Sequence, residues 1–330
     1  MKNCCLLLVC SFFPLTVLNA QNSQADSDLP HDTSYTVYQS LLKARKYYPE
    51  ARPALPVLPQ GVIAERDLVY AMLNDSVNKD RKLHLDVFRP VKKDIYPALI
   101  MVHGGGWMSG DRSMQVPMAM QIAARGYVTV TVEYQLSPEA RYPAAVYNIK
   151  SAIRWMRANA ARFGIDTSRI AISGCSAGGQ LAALVGMTND LVQYEGDQGN
   201  RGYSSAVKAV IDIDGLLDFL APASLDKVRK SNSADVSWLG GTFEEKPEVW
   251  KDASAIFRVN KYSPPVLFLN SGFSRFHAGQ DEMCGIMNEL GIYYEIHRFD
   301  VKVHPFWLFH PWFEPTADYM AGFLDKVFKP

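Results

Sequence analysis

The sequence predicts an α/β fold: a mostly parallel, eight-stranded sheet with helices on both faces. Short β-rich runs alternate with helix-length periodic segments through most of the chain, the pattern of strands joined by covering helices. Two runs, PALIMVH ending at His103 and PPVLFLN ending at Asn270, are continuously apolar, as central parallel strands buried on both faces must be. With 330 residues, 48% of them hydrophobic, the chain has ample material for a large core.

The elements follow in order. MKNCCLLLVCSFFPLTVLNAQNSQ has a lone Lys2, an apolar stretch over 4–18 and a small-residue cleavage position after Ala20, so 1–20 reads as a signal peptide. Its roughly 15 apolar residues, interrupted by Pro14, fall short of the ~20 a spanning helix needs. Bulky Val9 before Cys10 argues against a lipoprotein site. Residues 21–60 form a proline-rich extension, a linker or clamp marked by Pro49, Pro53, Pro56 and Pro59. The catalytic-sized domain then runs over 61–330. Strands are expected at 63–70 and 83–89, which alternate and suit an antiparallel edge, and at 98–103, 127–132, 170–173, 207–214, 266–270 and 293–299. Helices are expected near 114–125, 143–163, 177–187, 278–290 and 316–328. The stretch 219–262 has tryptophans and glycines with little periodicity, and reads as an insertion over the sheet's carboxyl edge.

Charge and cysteine content narrow the class. Lys plus Arg and Asp plus Glu are both 34, so no net charge draws the chain to nucleic acid or an anionic membrane. Of five cysteines, only Cys175 and Cys284 remain after signal removal, and the tight turn around Cys175 disfavours a bridge.

Two motifs carry chemistry. RIAISGCSAGGQLAAL sets Ser176 between Gly174 and Gly178, at the junction of a short strand and an alanine-rich helix. Such a turn needs glycines on both sides to project a serine hydroxyl above a sheet, and the helix N-terminus favours developing negative charge. LIMVHGGGWMSGDR ends another strand at His103 and follows it with Gly104, Gly105, Gly106 and Trp107. Consecutive glycines let backbone N–H groups converge on one point, as an oxyanion hole requires, and no phosphate-loop lysine follows.

With both motifs in place the chain resembles the α/β-hydrolase family, in the branch similar to hormone-sensitive lipase and bacterial acetyl or carbohydrate esterases. The resemblance covers roughly 80–330, including ARGYVTVTVEYQLSPEARYPAAVYNIKSAIRWMRANAARFGIDTSRIAISGCSAGGQLA. It implies an α/β-hydrolase fold, a Ser-His-acid esterase, Ser176 as nucleophile and oxyanion donors at the backbone of Gly105, Gly106 and Ala177. Asn148 and Cys175 depart from residues usual in the family at those positions.

The general base is expected after the last strand, where FDVKVHPFWLFHPWFEP offers His304 and His310. In the family the base precedes a small residue and an aromatic, so HPF assigns it to His304, and the order Ser then His agrees. Phe306, Trp307, Phe309, Trp312 and Phe313 crowd this segment; about half are expected in the core, the rest in an aromatic wall with Trp107, Trp238 and Trp250. His103, Trp107 and Trp307 are expected to line the substrate pocket.

The acid is not where the resemblance puts it. Related chains carry a glycine, an aromatic and then an acid after the strand before the last, and in LNSGFSRF that position holds Ser274. A neutral serine cannot stabilise the imidazolium, so the carboxylate is expected elsewhere. Asp214, ending VKAVIDIDG, is preferred because some lipases and dehalogenases of this fold carry the acid after the corresponding strand. Asp281 is the alternative, with Asp212 and Asp300 behind.

Together these expectations describe a secreted or periplasmic serine carboxylesterase that deacetylates a plant polysaccharide such as pectin or xylan through an acyl-enzyme. The alternatives are a peptidase or lipase on the same fold, or a non-catalytic carbohydrate-binding protein. No metal or cofactor is called for. The expected partner is a small-molecule or polysaccharide ester, with neither nucleic acid nor, after signal removal, membrane; the oligomeric state is open.

Overall fold

A computed structural model describes residues 32–73 and 80–328; the expected signal peptide and the first part of the proline-rich extension lie outside the described residues. In chain order the elements are α1 (Val37–Ala44), β1 (Arg52–Pro53), β2 (Val62–Leu73), β3 (Arg81–Pro90), β4 (Tyr96–Val102), α2 (Val116–Ala124), β5 (Val128–Val132), α3 (Ala144–Ala158), α4 (Ala160–Phe163), β6 (Ile165–Cys175) and α5 (Ala177–Met187). They continue with β7 (Val210–Ile213), α6 (Pro222–Leu225), α7 (Ala234–Leu239), α8 (Pro247–Asp252), β8 (Val266–Asn270), α9 (Gln280–Glu289), β9 (Tyr294–Arg298), β10 (Phe309–His310) and α10 (Phe313–Phe328).

Eight strands form one sheet in the order β2-β3-β5-β4-β6-β7-β8-β9. The β2–β3 and β3–β5 pairs are antiparallel, and every pair from β5–β4 onward is parallel. The two apolar runs become β4 and β8, and both are buried on two faces. Along β4, Ala98, Ile100 and Val102 join one hydrophobic cluster while Leu99 and Met101 join the other; Val266 and Phe268 separate from Leu267 and Leu269 in the same way along β8. This is the period-two split of a strand sandwiched between helix layers. Residues of α3 and α5 fill the first cluster, and residues of α1, α2 and α10 the second.

The helix expected over 143–163 divides at Asn159, whose side chain donates back to the Trp155 carbonyl at 2.9 Å, a local bond that competes with helix continuation. Within the described part of the extension, Thr36 caps α1 by accepting from Gln39 N–H at 3.1 Å. Arg52 and Pro53 then pair with His310 and Phe309. Leu41, Ala44, Ala51 and Ala54 are buried in the cluster on that face, so this stretch is packed against the sheet's helices. Between β7 and β8 lie the three short helices α6, α7 and α8, anchored by wholly buried Trp238 and Trp250.

Candidate active site

Parallel strands end at one edge, and in open α/β sheets that carboxyl edge is where ligands meet the chain. Here β4, β6, β7 and β9 deliver the side chains and loops that the sequence singles out.

Ser176 stands between β6 and α5 with φ 56° and ψ −121°, a conformation an L-residue adopts only when its surroundings enforce it. Its N–H donates to the Ile213 carbonyl at 2.8 Å, which ties the turn to β7. A Cβ on Gly174 would overlap the Gly178 carbonyl, and one on Gly178 would overlap the carbonyls of Val102 and His103, so both flanking glycines are required by close backbone approach.

Cys175 pairs with Ile213 across β6 and β7, so the next residues of the two strands, Ser176 and Asp214, leave the sheet side by side. Asp214 has φ 52°, and its N–H donates to the Leu269 carbonyl at 2.9 Å. His304, in the loop after β9, bridges the two: its Nε2 is 2.7 Å from Ser176 Oγ and its Nδ1 is 2.9 Å from Asp214 Oδ2. The other carboxylate oxygen accepts from Ser271 N–H at 2.7 Å and lies 3.1 Å from His277 Nε2. Burial alone would raise the Asp214 pKa, but the bonds from His277, His304 and Ser271 outweigh it and hold the carboxyl below its usual range. His304 titrates below an ordinary histidine, because desolvation disfavours the imidazolium more than Asp214 favours it.

The competing aspartates stand elsewhere. Asp281 is exposed in the first turn of α9, where negative charge suits the helix N-terminus, and Asp300 is exposed beyond β9. Asp212 is buried two residues before Asp214; burial first, then the charge of Asp214, pushes its pKa well up. Ser274 opens a 3₁₀ turn, Ser274–His277, and is exposed. The loop that lacks an acid therefore holds one, through the Ser271 N–H and the His277 ring.

Gly104 comes so near the nucleophile that a Cβ there would stand 2.7 Å from the Cys175 carbonyl and 3.1 Å from Ser176 Cβ. Gly105 (φ 126°), Gly106 (φ 60°) and Trp107 (φ 58°) follow in left-handed conformations. The Gly105 carbonyl accepts from Met108 N–H (3.2 Å), Ser109 N–H (3.0 Å) and Ser109 Oγ (2.8 Å), which fixes the loop. Gly106 and Ala177 both line the cavity over Ser176, and the Ala177 N–H belongs to the first helical turn, whose donors have no intrahelical acceptor.

The cavity measures about 180 Å³ and runs from this loop to the 219–262 insertion and the 274–277 turn. Trp107 lines it, held by Nε1 donating to Gln180 Oε1 at 2.9 Å and by stacking on Trp238 at 4.8 Å. His103 does not reach it: the ring is 1% exposed, stacked on Tyr134 at 4.4 Å, with Nδ1 2.8 Å from the Gly104 carbonyl. Trp307 meets the His304 ring edge-on at 5.3 Å but lines a separate apolar hollow with Leu41 and Met114. The expected aromatic wall resolves into core, since Phe306, Trp307, Phe309, Trp312, Phe313, Trp238 and Trp250 are all buried. His310 pairs with Glu314 at 2.7 Å, on the strand that meets Arg52.

The sequence reading missed three features. Phe276 stacks on His304 with ring centroids 3.4 Å apart, His277 shares Asp214, and Lys227, Arg229 and Arg275 line the cavity. The available signal was FSRFH itself, which packs two aromatic rings, an arginine and a histidine into one turn beside the base.

With this geometry in hand, comparisons with known proteins give a consistent picture. The BD-FAE family model matches residues 85–275. Esterase LipC of Mycobacterium tuberculosis (strain ATCC 25618 / H37Rv) is 37% identical over 191 residues, covering 56% of this chain and 47% of the relative. Carboxylesterase NlhH of the same organism is 34% identical, covering 46% of each chain. The chain thus spans about half the length of the curated relatives it matches. Among solved structures, a truncated carbohydrate esterase from gut microbiota aligns over 84% of this chain and 99% of its own, with TM-score 0.68 and 23% identity, which shows the α/β-hydrolase fold. Esterase 2 of Thermogutta terrifontis, phosphonylated by sarin, aligns over 85% of this chain and 98% of its own, with TM-score 0.66 and 26% identity.

Proposed function

The chain belongs to the BD-FAE family, and from that premise we propose that it is a serine carboxylesterase that removes short acyl groups, acetyl foremost, from a plant polysaccharide such as pectin or xylan. The observation that carries the reading is the continuous chain from Ser176 Oγ through His304 to Asp214 beneath a glycine-rich loop. Relatives described as esterases and a neighbour described as a carbohydrate esterase support the reaction class. A cavity of about 180 Å³ that must take the acyl group and adjoining alcohol together favours a short acyl group. The N-terminal leader pattern supports export to the periplasm or the medium.

In the proposed mechanism, Ser176 Oγ attacks the ester carbonyl as its proton passes to His304 Nε2, giving a tetrahedral oxyanion. Backbone N–H groups of Gly105, Gly106 and Ala177 receive that charge. The bond from carbon to the leaving oxygen breaks, and the proton on His304 goes to the departing alkoxide, which leaves as the alcohol. Water then attacks the acyl-enzyme, giving its proton to His304, and collapse returns that proton to Ser176 with release of the carboxylic acid. Asp214 holds Nδ1–H throughout and stabilises the imidazolium.

Purified protein is expected to hydrolyse p-nitrophenyl acetate, and Ser176→Ala to remove that turnover. Absence of turnover with every short acyl ester would instead favour a carbohydrate-binding role.

A further inference from the structure

The cavity beside Ser176 is lined by three cationic side chains and two carboxylates. Asp214 is engaged by the two histidines, and Asp235 by Arg229, whose Nε lies 2.8 Å from Oδ2. Arg229 also donates to the Ser224 carbonyl at 2.8 Å and lies 4.8 Å over the Trp250 ring, which fixes it, while the Asp235 charge also reaches Lys227 and Arg275 from beyond ion-pair distance. Among the described residues, neither Lys227 nor Arg275 has a carboxylate within ion-pair distance, and both are open to solvent. Asp235 attracts both without pairing with either, Arg275 disfavours the Lys227 ammonium, and both line the cavity that holds Ser176. An anion placed between them would relieve that repulsion and gain charge-assisted hydrogen bonds.

Position says which part of the substrate that anion belongs to. The guanidinium of Arg275 lies 4.5 Å over the Phe276 ring, and the same ring stacks on His304 at 3.4 Å. His304 is the group that protonates the leaving alcohol, so Arg275 belongs to the alcohol side of the ester. Arg275 is also one of the charges that disfavour the His304 imidazolium, so neutralising it would help the base take up its proton.

We propose, on the serine-esterase reading above, that Lys227 and Arg275 select an anionic sugar ester, with a carboxylate or sulfate on the alcohol side near the acylated hydroxyl. Acetylated uronan would then be preferred over acetylated neutral xylan.

The experiment compares kcat/KM for 4-acetoxybenzoate and 4-acetoxybenzenesulfonate with that for neutral methyl 4-acetoxybenzoate, each rate divided by the same ester's hydroxide-catalysed rate. Wild-type protein is expected to prefer at least one anionic ester by about tenfold or more at low salt, falling several-fold as NaCl rises from about 20 to about 500 mM. The two anionic arms tell a carboxylate from a sulfonate, the latter standing in for a sulfate ester. In K227Q/R275Q the ratio should fall to within about twofold of unity, while Arg275→Lys keeps part of it because charge remains but the fork is lost. A wild-type ratio near one, or a preference that survives high salt or the double substitution, overturns the proposal. So does a preference found only when the charge is on the acyl side, tested with p-nitrophenyl hemisuccinate against p-nitrophenyl butyrate. The wild-type salt series stands without any variant. Hydrolysis of the neutral ester reports the esterase reading separately, and loss of all turnover would sink that reading instead.

Discussion

His304 is held by four groups at once: Ser176 and Asp214 by hydrogen bonds, Phe276 by stacking and Trp307 edge-on. On the proposed serine-esterase mechanism the neutral ring takes the serine proton, so activity rises as pH passes the His304 pKa. Desolvation lowers that pKa, which means the ring stays neutral and the protein stays active further into acid than an ordinary histidine near 6.5 would allow. A pH profile of kcat/KM with a neutral ester is expected to show an acid limb centred below about 6.5, and a limb centred above it would contradict the burial argument. That His304 would come to lie beside Ser176 was expected from HPF and its place after the last strand, and the two are 2.7 Å apart. The grip on it was not, because Phe276 and His277 arrive from a turn whose three-dimensional neighbours no local pattern specifies.

Helix α3 shows how a polar stripe can belong to a core. Lys150 and Arg154 are buried on it, and both reach Glu195: Lys150 Nζ to Oε1 at 3.0 Å and Arg154 to Oε2 at 2.8 Å. Lys150 Nζ also donates to the Thr188 carbonyl at 2.8 Å, which stitches α3 to the end of α5. Glu195→Ala leaves two buried cations without their anion and is expected to destabilise the fold by about 3 kcal/mol or more in urea unfolding, whereas Lys150→Met should cost less. A loss under about 1 kcal/mol for Glu195→Ala would mean that solvent already compensates these charges. Burial raises the Glu195 pKa, but Ser205, Lys150 and Arg154 outweigh it and depress the value. The stabilisation is therefore complete above the unfolded value and lost as pH falls through the depressed one. Element positions were legible where an apolar or alanine-rich run was continuous and bounded at one end by glycines, as in α5 and β4. The 219–262 insertion was legible only as a place, because α6, α7 and α8 are too short to show a period and are fixed by Trp238 and Trp250.

At the scale of the molecule, the eight strands that the described residues place in one sheet bring distant parts of the chain to a common edge. All eight were visible in the sequence because the sheet's own burial writes their pattern. Pairing between two-residue β1 and β10 was not, since such short contacts depend on the finished fold. The same limit kept the preference for Asp214 over Asp281 slight: one ends a strand and the other opens a helix near the same edge, and only the register of β6 on β7 sets Asp214 beside Ser176. Moving the acid from the end of β8 to the end of β7 keeps it at the same edge, one strand nearer the nucleophile, so the imidazole can still span both. The topology thus makes a claim about which strand tip supports the base. Comparing kcat of Asp214→Asn and Asp281→Asn on p-nitrophenyl acetate tests it: Asp214→Asn is expected to lose roughly 10⁴ and Asp281→Asn no more than about twofold. Near-normal turnover in Asp214→Asn, or a large loss confined to Asp281→Asn, would contradict it.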